Sequence, residues 1–182
     1  GDLDVYFPQG APLPGWEKEN VILENKLFRN DNLSWTDVTK EAGVGDKTYS
    51  MGCACADYDN DGDPDIYSVN IGLDIPPYTG EPSLFIINNY NINDSFDYKF
   101  NDLVWGAHSA ASADIDGDGD LDIFSVGPRD ESPQRTYVSK FLRNDGNFSL
   151  SIWEDIFSSN NHPFWSFKSS YQSELIDVDK DG

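Results

Sequence analysis

Asp57-Tyr58-Asp59-Asn60-Asp61-Gly62-Asp63-Pro64-Asp65-Ile66-Tyr67-Ser68-Val69 reads as an acidic turn emptying into a strand. Asp114-Ile115-Asp116-Gly117-Asp118-Gly119-Asp120-Leu121-Asp122-Ile123-Phe124-Ser125-Val126 repeats it without a gap. A third copy begins at Asp177 as Asp-Val-Asp-Lys-Asp-Gly, and the opening Gly1-Asp2-Leu3-Asp4-Val5-Tyr6-Phe7 matches the second half of the motif. The three starts lie 57 and 63 residues apart, and Gly1 lies 61 before the equivalent Gly62. Self-similarity at a fixed period is the mark of a repeat architecture.

The flanks repeat as well. A run of small residues precedes each complete loop, Gly52-Cys53-Ala54-Cys55-Ala56 and Ser109-Ala110-Ala111-Ser112-Ala113, which suits a crowded inner strand. Leu27-Phe28-Arg29-Asn30-Asp31, Leu84-Phe85-Ile86-Ile87-Asn88-Asn89 and Phe141-Leu142-Arg143-Asn144-Asp145-Gly146 each read as a strand entering a hairpin turn. A period near 60 with about four short strands predicts an all-β chain of β-propeller blades. The repeats fall at approximately 1–61, 62–118 and 119–182 of a single region covering 1–182, with the segments around Pro76-Pro77 and Pro128 as surface loops.

The loop chemistry is that of a hard cation. Asp57, Asp59 and Asp61, like Asp114, Asp116 and Asp118, stand at positions 1, 3 and 5, so their carboxylates converge on a tight turn. Gly62 and Gly119 at position 6 permit the bend. Asp63 and Asp120 at position 7 offer a backbone carbonyl, and Asp65 and Asp122 at position 9 close the shell. An all-oxygen set with several carboxylates suits calcium; magnesium demands a stricter octahedron, and zinc and copper want nitrogen or sulfur. Like charges at ~4 Å repel by about 1 kcal/mol even in a water-like dielectric. Cation binding is therefore expected to order the loop. An EF-hand shares the D-x-D-x-D-G spacing but needs Glu at position 12 and a following helix. Position 12 here is Ser68 or Ser125, inside a strand pattern.

Composition agrees. The chain has 182 residues, 12 basic and 33 acidic, for a net charge of −21. That balance excludes phosphate-directed nucleic-acid binding and attraction to anionic membrane surfaces, and leaves cations as natural partners. An aromatic share of 14% is enough for a packed core. No stretch reaches the ~20 apolar residues of a membrane span. Cys53 and Cys55, two apart on one strand, are expected to be small buried residues facing the same side, because a bridge so close in sequence is strained. The opening without methionine is expected to mark a processed or excised piece, and no signal peptide is seen. Sequons stand at Asn32, Asn93 and Asn147.

At these loops the chain resembles the FG-GAP/VCBS repeat family, whose repeats form calcium-bearing blades in integrin α-subunit propellers and in many secreted bacterial proteins. Asn25-Lys26-Leu27-Phe28-Arg29-Asn30, the stretch from Phe148, and Thr36-Asp37-Val38-Thr39-Lys40-Glu41-Ala42-Gly43-Val44 look like the branch of the cartilage acidic proteins (ASPIC). The resemblance covers most of the chain. It implies a β-propeller, an extracellular or cell-surface location, and Ca2+ at two complete sites. One is Asp57, Asp59, Asp61 and Asp65; the other is Asp114, Asp116, Asp118 and Asp122. Half sites are implied at Asp177, Asp179 and Asp181 and at Asp2 and Asp4. Three periods do not close a ring of 4–8 blades. The expectation is thus part of a larger propeller, or units assembled between chains so that a neighbour or further sequence completes the third site.

Three functions follow as expectations. The first is a non-enzymatic structural, adhesion or ligand-binding module for a protein or glycan, with Trp105, Trp153, Trp165 and Tyr171 able to form a surface or a core. The second is a subunit of an extracellular filament or surface layer, contacting copies of itself. The third is a polysaccharide lyase or hydrolase, for which His108 is the lone acid–base candidate; it aligns with Met51, and the only other histidine is His162.

Overall fold

The structure is a computed structural model that describes residues 2–10, 23–72, 80–89, 95–127, 139–153 and 174–176. Asp177, Asp179, Asp181, Asn93, His162, Trp165, Tyr171, Pro76, Pro77, Pro128 and the side chain of Trp105 lie outside the described residues.

Eleven strands are described: β1 (Val5–Phe7), β2 (Lys26–Asp31), β3 (Ser34–Asp37), β4 (Ser50–Ala56), β5 (Asp65–Asn70), β6 (Pro82–Asn89), β7 (Ser95–Trp105), β8 (Ser109–Ala113), β9 (Asp122–Val126), β10 (Lys140–Asn144) and β11 (Leu150–Ile152). The single helix among the described residues, α1 (Thr39–Ala42), is one turn, closed by Gly43 in the left-handed region at φ 73°. The strands form three antiparallel sheets: β1-β2-β3, β4-β5-β6-β7 and β8-β9-β10-β11. Within each sheet every strand pairs with its neighbour in sequence, as in a propeller blade. In both four-stranded sheets the first strand is the small-residue run, and the acidic loop joins it to the second strand.

The internal repeat is visible in the register. Val5 faces Phe28 across β1 and β2, Ile66 faces Ile86 across β5 and β6, and Ile123 faces Leu142 across β9 and β10. The three-stranded sheet therefore matches the last three strands of the others.

The two central strands of the middle sheet, β5 and β6, are buried on both faces. Ile66, Leu84 and Ile86 pack with Val44, Tyr6 and Leu27 of the first sheet and its flanking turn. Tyr67, Val69 and Phe85 turn the other way, onto Ile123, Leu142 and Phe148 of the third. Two-sided burial is why β5 and β6 read as continuous apolar runs rather than as an alternation. The first strands β4 and β8 lie against each other, and the small residues are required there: a Cβ on Gly52 would sit 3.0 Å from the His108 carbonyl oxygen. The opposite face of β4 is more open. Cys55 is exposed and Cys53 half-buried, both as free thiols. The burial expected for the pair is thus incomplete, since little among the described residues covers Cys55 and Met51.

Two hairpins turn on Asn-led dipeptides. Asn32 and Leu33 have φ of 52° and 67°, and Asn147 and Phe148 have φ of 50° and 56°. Positive φ at both central residues belongs to the tight turn that matches strand twist, and Asn tolerates it best among residues with a side chain. Both sequon asparagines are accordingly exposed at turn tips. For Phe148 that backbone is costly, and burial offsets it: its ring lies 5.1 Å from Phe85 and 6.4 Å from Tyr58, with Lys99 Nζ 5.7 Å from its centroid. Phe148 is thus a wedge from the third sheet into the core of the second. Phe148→Ala is expected to lower unfolding free energy by about 3 kcal/mol, measured by urea denaturation; an unchanged midpoint would contradict the wedge.

Candidate metal centre

Both acidic loops wind their backbone around their first aspartate. Asp57 accepts the N–H of Asp61 at 3.1 Å on Oδ1 and that of Gly62 at 3.0 Å on Oδ2. Asp114 does the same with Asp118 at 3.1 Å and Gly119 at 3.0 Å. Asp59 and Asp116 each accept the N–H two residues on at 3.3 Å, and Asp61 and Asp118 do so at 2.9 and 3.0 Å. Gly62 and Gly119 share a φ of 96°, which a side chain rarely adopts. These bonds turn the remaining carboxylate oxygens inward. Donor atoms of Asp57, Asp59 and Asp61 lie within 4.8 Å of one another, as do those of Asp114, Asp116 and Asp122. Such all-oxygen clusters fit a hard divalent cation.

Position 9 does a second job. Asp65 and Asp122 are fully buried at 0% exposure. Asp65 accepts Tyr58 N–H at 3.0 Å on Oδ2 and Asn88 N–H at 2.8 Å on Oδ1. Asp122 accepts Ile115 N–H at 2.9 Å on Oδ2 and Asn144 N–H at 2.9 Å on Oδ1. One carboxylate therefore joins the loop to the next hairpin. The hairpin asparagine answers: Asn88 and Asn144 donate Nδ2–H to the carbonyls of Pro64 at 3.2 Å and Leu121 at 3.3 Å. The first sheet has the same reciprocal pair, with Asp4 accepting Asn30 N–H at 2.9 Å and Asn30 donating to the Leu3 carbonyl at 3.2 Å. The Asn of each hairpin motif is the residue that the sequence reading left without a role. Its recurrence at Asn30, Asn88 and Asn144, 26, 23 and 22 residues after Asp4, Asp65 and Asp122, was the signal.

Position 7 also reaches toward the hairpin. Asp2 accepts Asn32 N–H at 2.6 Å, and Asp120 Oδ2 lies 3.1 Å from where a Cβ on Gly146 would stand. Asp120 also accepts from Asn60 Nδ2, linking the second loop to the first. Asp2 and Asp4 thus sit against β2 and its turn. Tyr58, between Asp57 and Asp59, drops its ring into the core and bonds Ser112 through its hydroxyl at 2.6 Å, while its carbonyl accepts Asn144 Nδ2–H at 2.9 Å.

The electrostatics are those of crowded acid. Burial pushes the Asp65 carboxyl up to about 6 against the pull of its two N–H donors, and burial raises Asp122 in the same way. Asp59 is raised by desolvation and by repulsion from Asp61. Asp118 is lowered, chiefly by the Asp120 N–H and further by Arg143. The Arg143 guanidinium lies across the second loop, 2.9 Å from Asp116 and 3.4 Å from Asp118. Among the described residues no lysine or arginine forms such an ion pair with Asp57, Asp59 or Asp61. His108 is 8% exposed and lines a groove of about 600 Å³ between β4 and β8, together with Glu174. Trp153 is half-buried; among the described residues the exposed tryptophan is Trp35, at 49%.

Fold and loops define a blade-type β-repeat protein with acidic, cation-shaped turns. Residues 1–68 match the family described as FG-GAP-like repeat, which is consistent with the resemblance to the FG-GAP/VCBS type. That match runs from the opening half-motif through the first complete loop, and the second loop repeats the same bonds outside it. Comparison with curated proteins finds no match.

Asp65→Ala is expected to destabilise the fold by about 2–4 kcal/mol even in chelator, because two buried N–H groups lose their acceptor. Asp59→Ala is expected to leave stability in chelator within about 0.5 kcal/mol. Equilibrium denaturation of both variants checks the difference.

Proposed function

We infer that this chain is a calcium-binding β-propeller module of an extracellular protein, with a non-catalytic role in structure, adhesion or ligand binding. The carrying observation is the pair of loops, each with three acidic donors within 4.8 Å and the same backbone winding. The net charge of −21 supports a cation as partner, and proteins with FG-GAP repeats are typically extracellular. No helix among the described residues is long and apolar enough to cross a membrane. The ion would sit among Asp57, Asp59 and Asp61 at the first loop and among Asp114, Asp116 and Asp122 at the second, with Asp63 and Asp120 offering carbonyls. Its charge would offset the desolvation and repulsion that raise Asp59 and the desolvation that raises Asp65 and Asp122.

The likeness of Thr36–Val44 to the cartilage-acidic-protein branch supports an extracellular or cell-surface setting. The partner is a protein or a glycan, and exposed Leu33 and Trp35 on the first sheet supply apolar contact area.

Calorimetric titration of the full chain with calcium should show at least two ions bound, one for each acidic cluster. Melting temperature should fall in chelator, since an ion that binds only the folded state stabilises it by mass action. Fewer than two ions bound at about millimolar calcium would defeat the assignment.

A further inference from the structure

The two loops match residue for residue in their ligand positions but not in what lies over them. Ile87 and Arg143 are equivalent, each directly before the hairpin asparagine that bonds position 9. Ile87 packs against the core shared by the second and third sheets. Arg143 lies on its loop, with Nε 2.9 Å from Asp116 Oδ2 and Nη2 3.4 Å from Asp118 Oδ2; Asp145 holds Nε from the other side at 2.9 Å. The donor sets differ as well: the first loop gathers positions 1, 3 and 5, and the second gathers positions 1, 3 and 9, with Arg143 lying on positions 3 and 5.

We propose that Arg143 is a built-in counter-ion that sets the second loop to a lower calcium affinity than the first, so that the loops fill in order. The proposal rests on the calcium reading above. A guanidinium on Asp116 and Asp118 occupies oxygens that the ion needs, and Asp145 holds it there from Nε. It also compensates the acid when calcium is scarce, so the second loop keeps its shape where the first would repel itself. An isoleucine does neither.

Calcium calorimetry on the full chain, with circular dichroism to confirm folding, tests this in the wild type and in Arg143→Ile, Arg143→Gln, Ile87→Arg and Asp59→Asn. The wild type should show two affinities differing by about tenfold, because the ion must displace a guanidinium from two of its carboxylates at the second loop only. Asp59→Asn should remove the tighter one. Arg143→Ile and Arg143→Gln should tighten the weaker one by a similar factor, and Ile87→Arg, if folded, should weaken the tighter. Two equal affinities in the wild type, or an unchanged weak site in both Arg143 variants, would overturn the proposal and leave calcium binding standing. No calcium heat from any folded protein would overturn the calcium reading and the proposal with it.

Discussion

A carboxylate with no exposure to water must find donors for both oxygens, and that constraint shapes each repeat. Asp65 and Asp122 meet it by reaching back to the second residue of their own loop and forward to the hairpin asparagine. The asparagine then returns a bond to the carbonyl just before the aspartate. Loop, second strand and third strand are thereby locked at one point. Asp4 and Asn30 preserve the same reciprocal pair in the first sheet. It is thus a property of the repeat, not of one loop.

With that point fixed, the other aspartates are free to face outward. Position 1 serves as the hub on which the turn winds, positions 3 and 5 project oxygens around it, and position 7 leans on the next hairpin. The acid is therefore layered: one buried carboxylate holds the chain, and several accessible ones gather charge. Desolvation raises the buried ones, which a nearby cation would reverse. The same layering lets a neighbouring strand modify a loop without disturbing its shape, as Arg143 does where Ile87 does not.

Much of this was legible in the residues. Spacing gave the repeat and its strands, Gly62 and Gly119 marked the bends, and Gly52 announced the close approach of β4 to β8. The converging carboxylates followed from Asp at alternate positions. What stayed hidden needed three-dimensional neighbours. Asp65 and Asp122 look like any ligand in the motif, and only burial reveals their two N–H donors. Arg143 lies 25 residues after Asp118, and only strand pairing lays it over the loop. Phe148 in a left-handed turn breaks a local rule that the aromatic core of the adjacent sheet then supports. Cys55 follows the small-residue pattern of an inner strand yet faces outward, because pattern alone does not say which face has a neighbour.

Tyr58 gives the arrangement a temporal side. Its backbone lies inside the first acidic loop, its ring fills the seam between two sheets, and its hydroxyl is tied to β8. The loop cannot fray without withdrawing that ring, and the seam cannot part without dragging on the loop. Amide exchange at both places should then report one opening event with a shared free energy. The two four-stranded sheets are then expected to open together rather than as separate leaves.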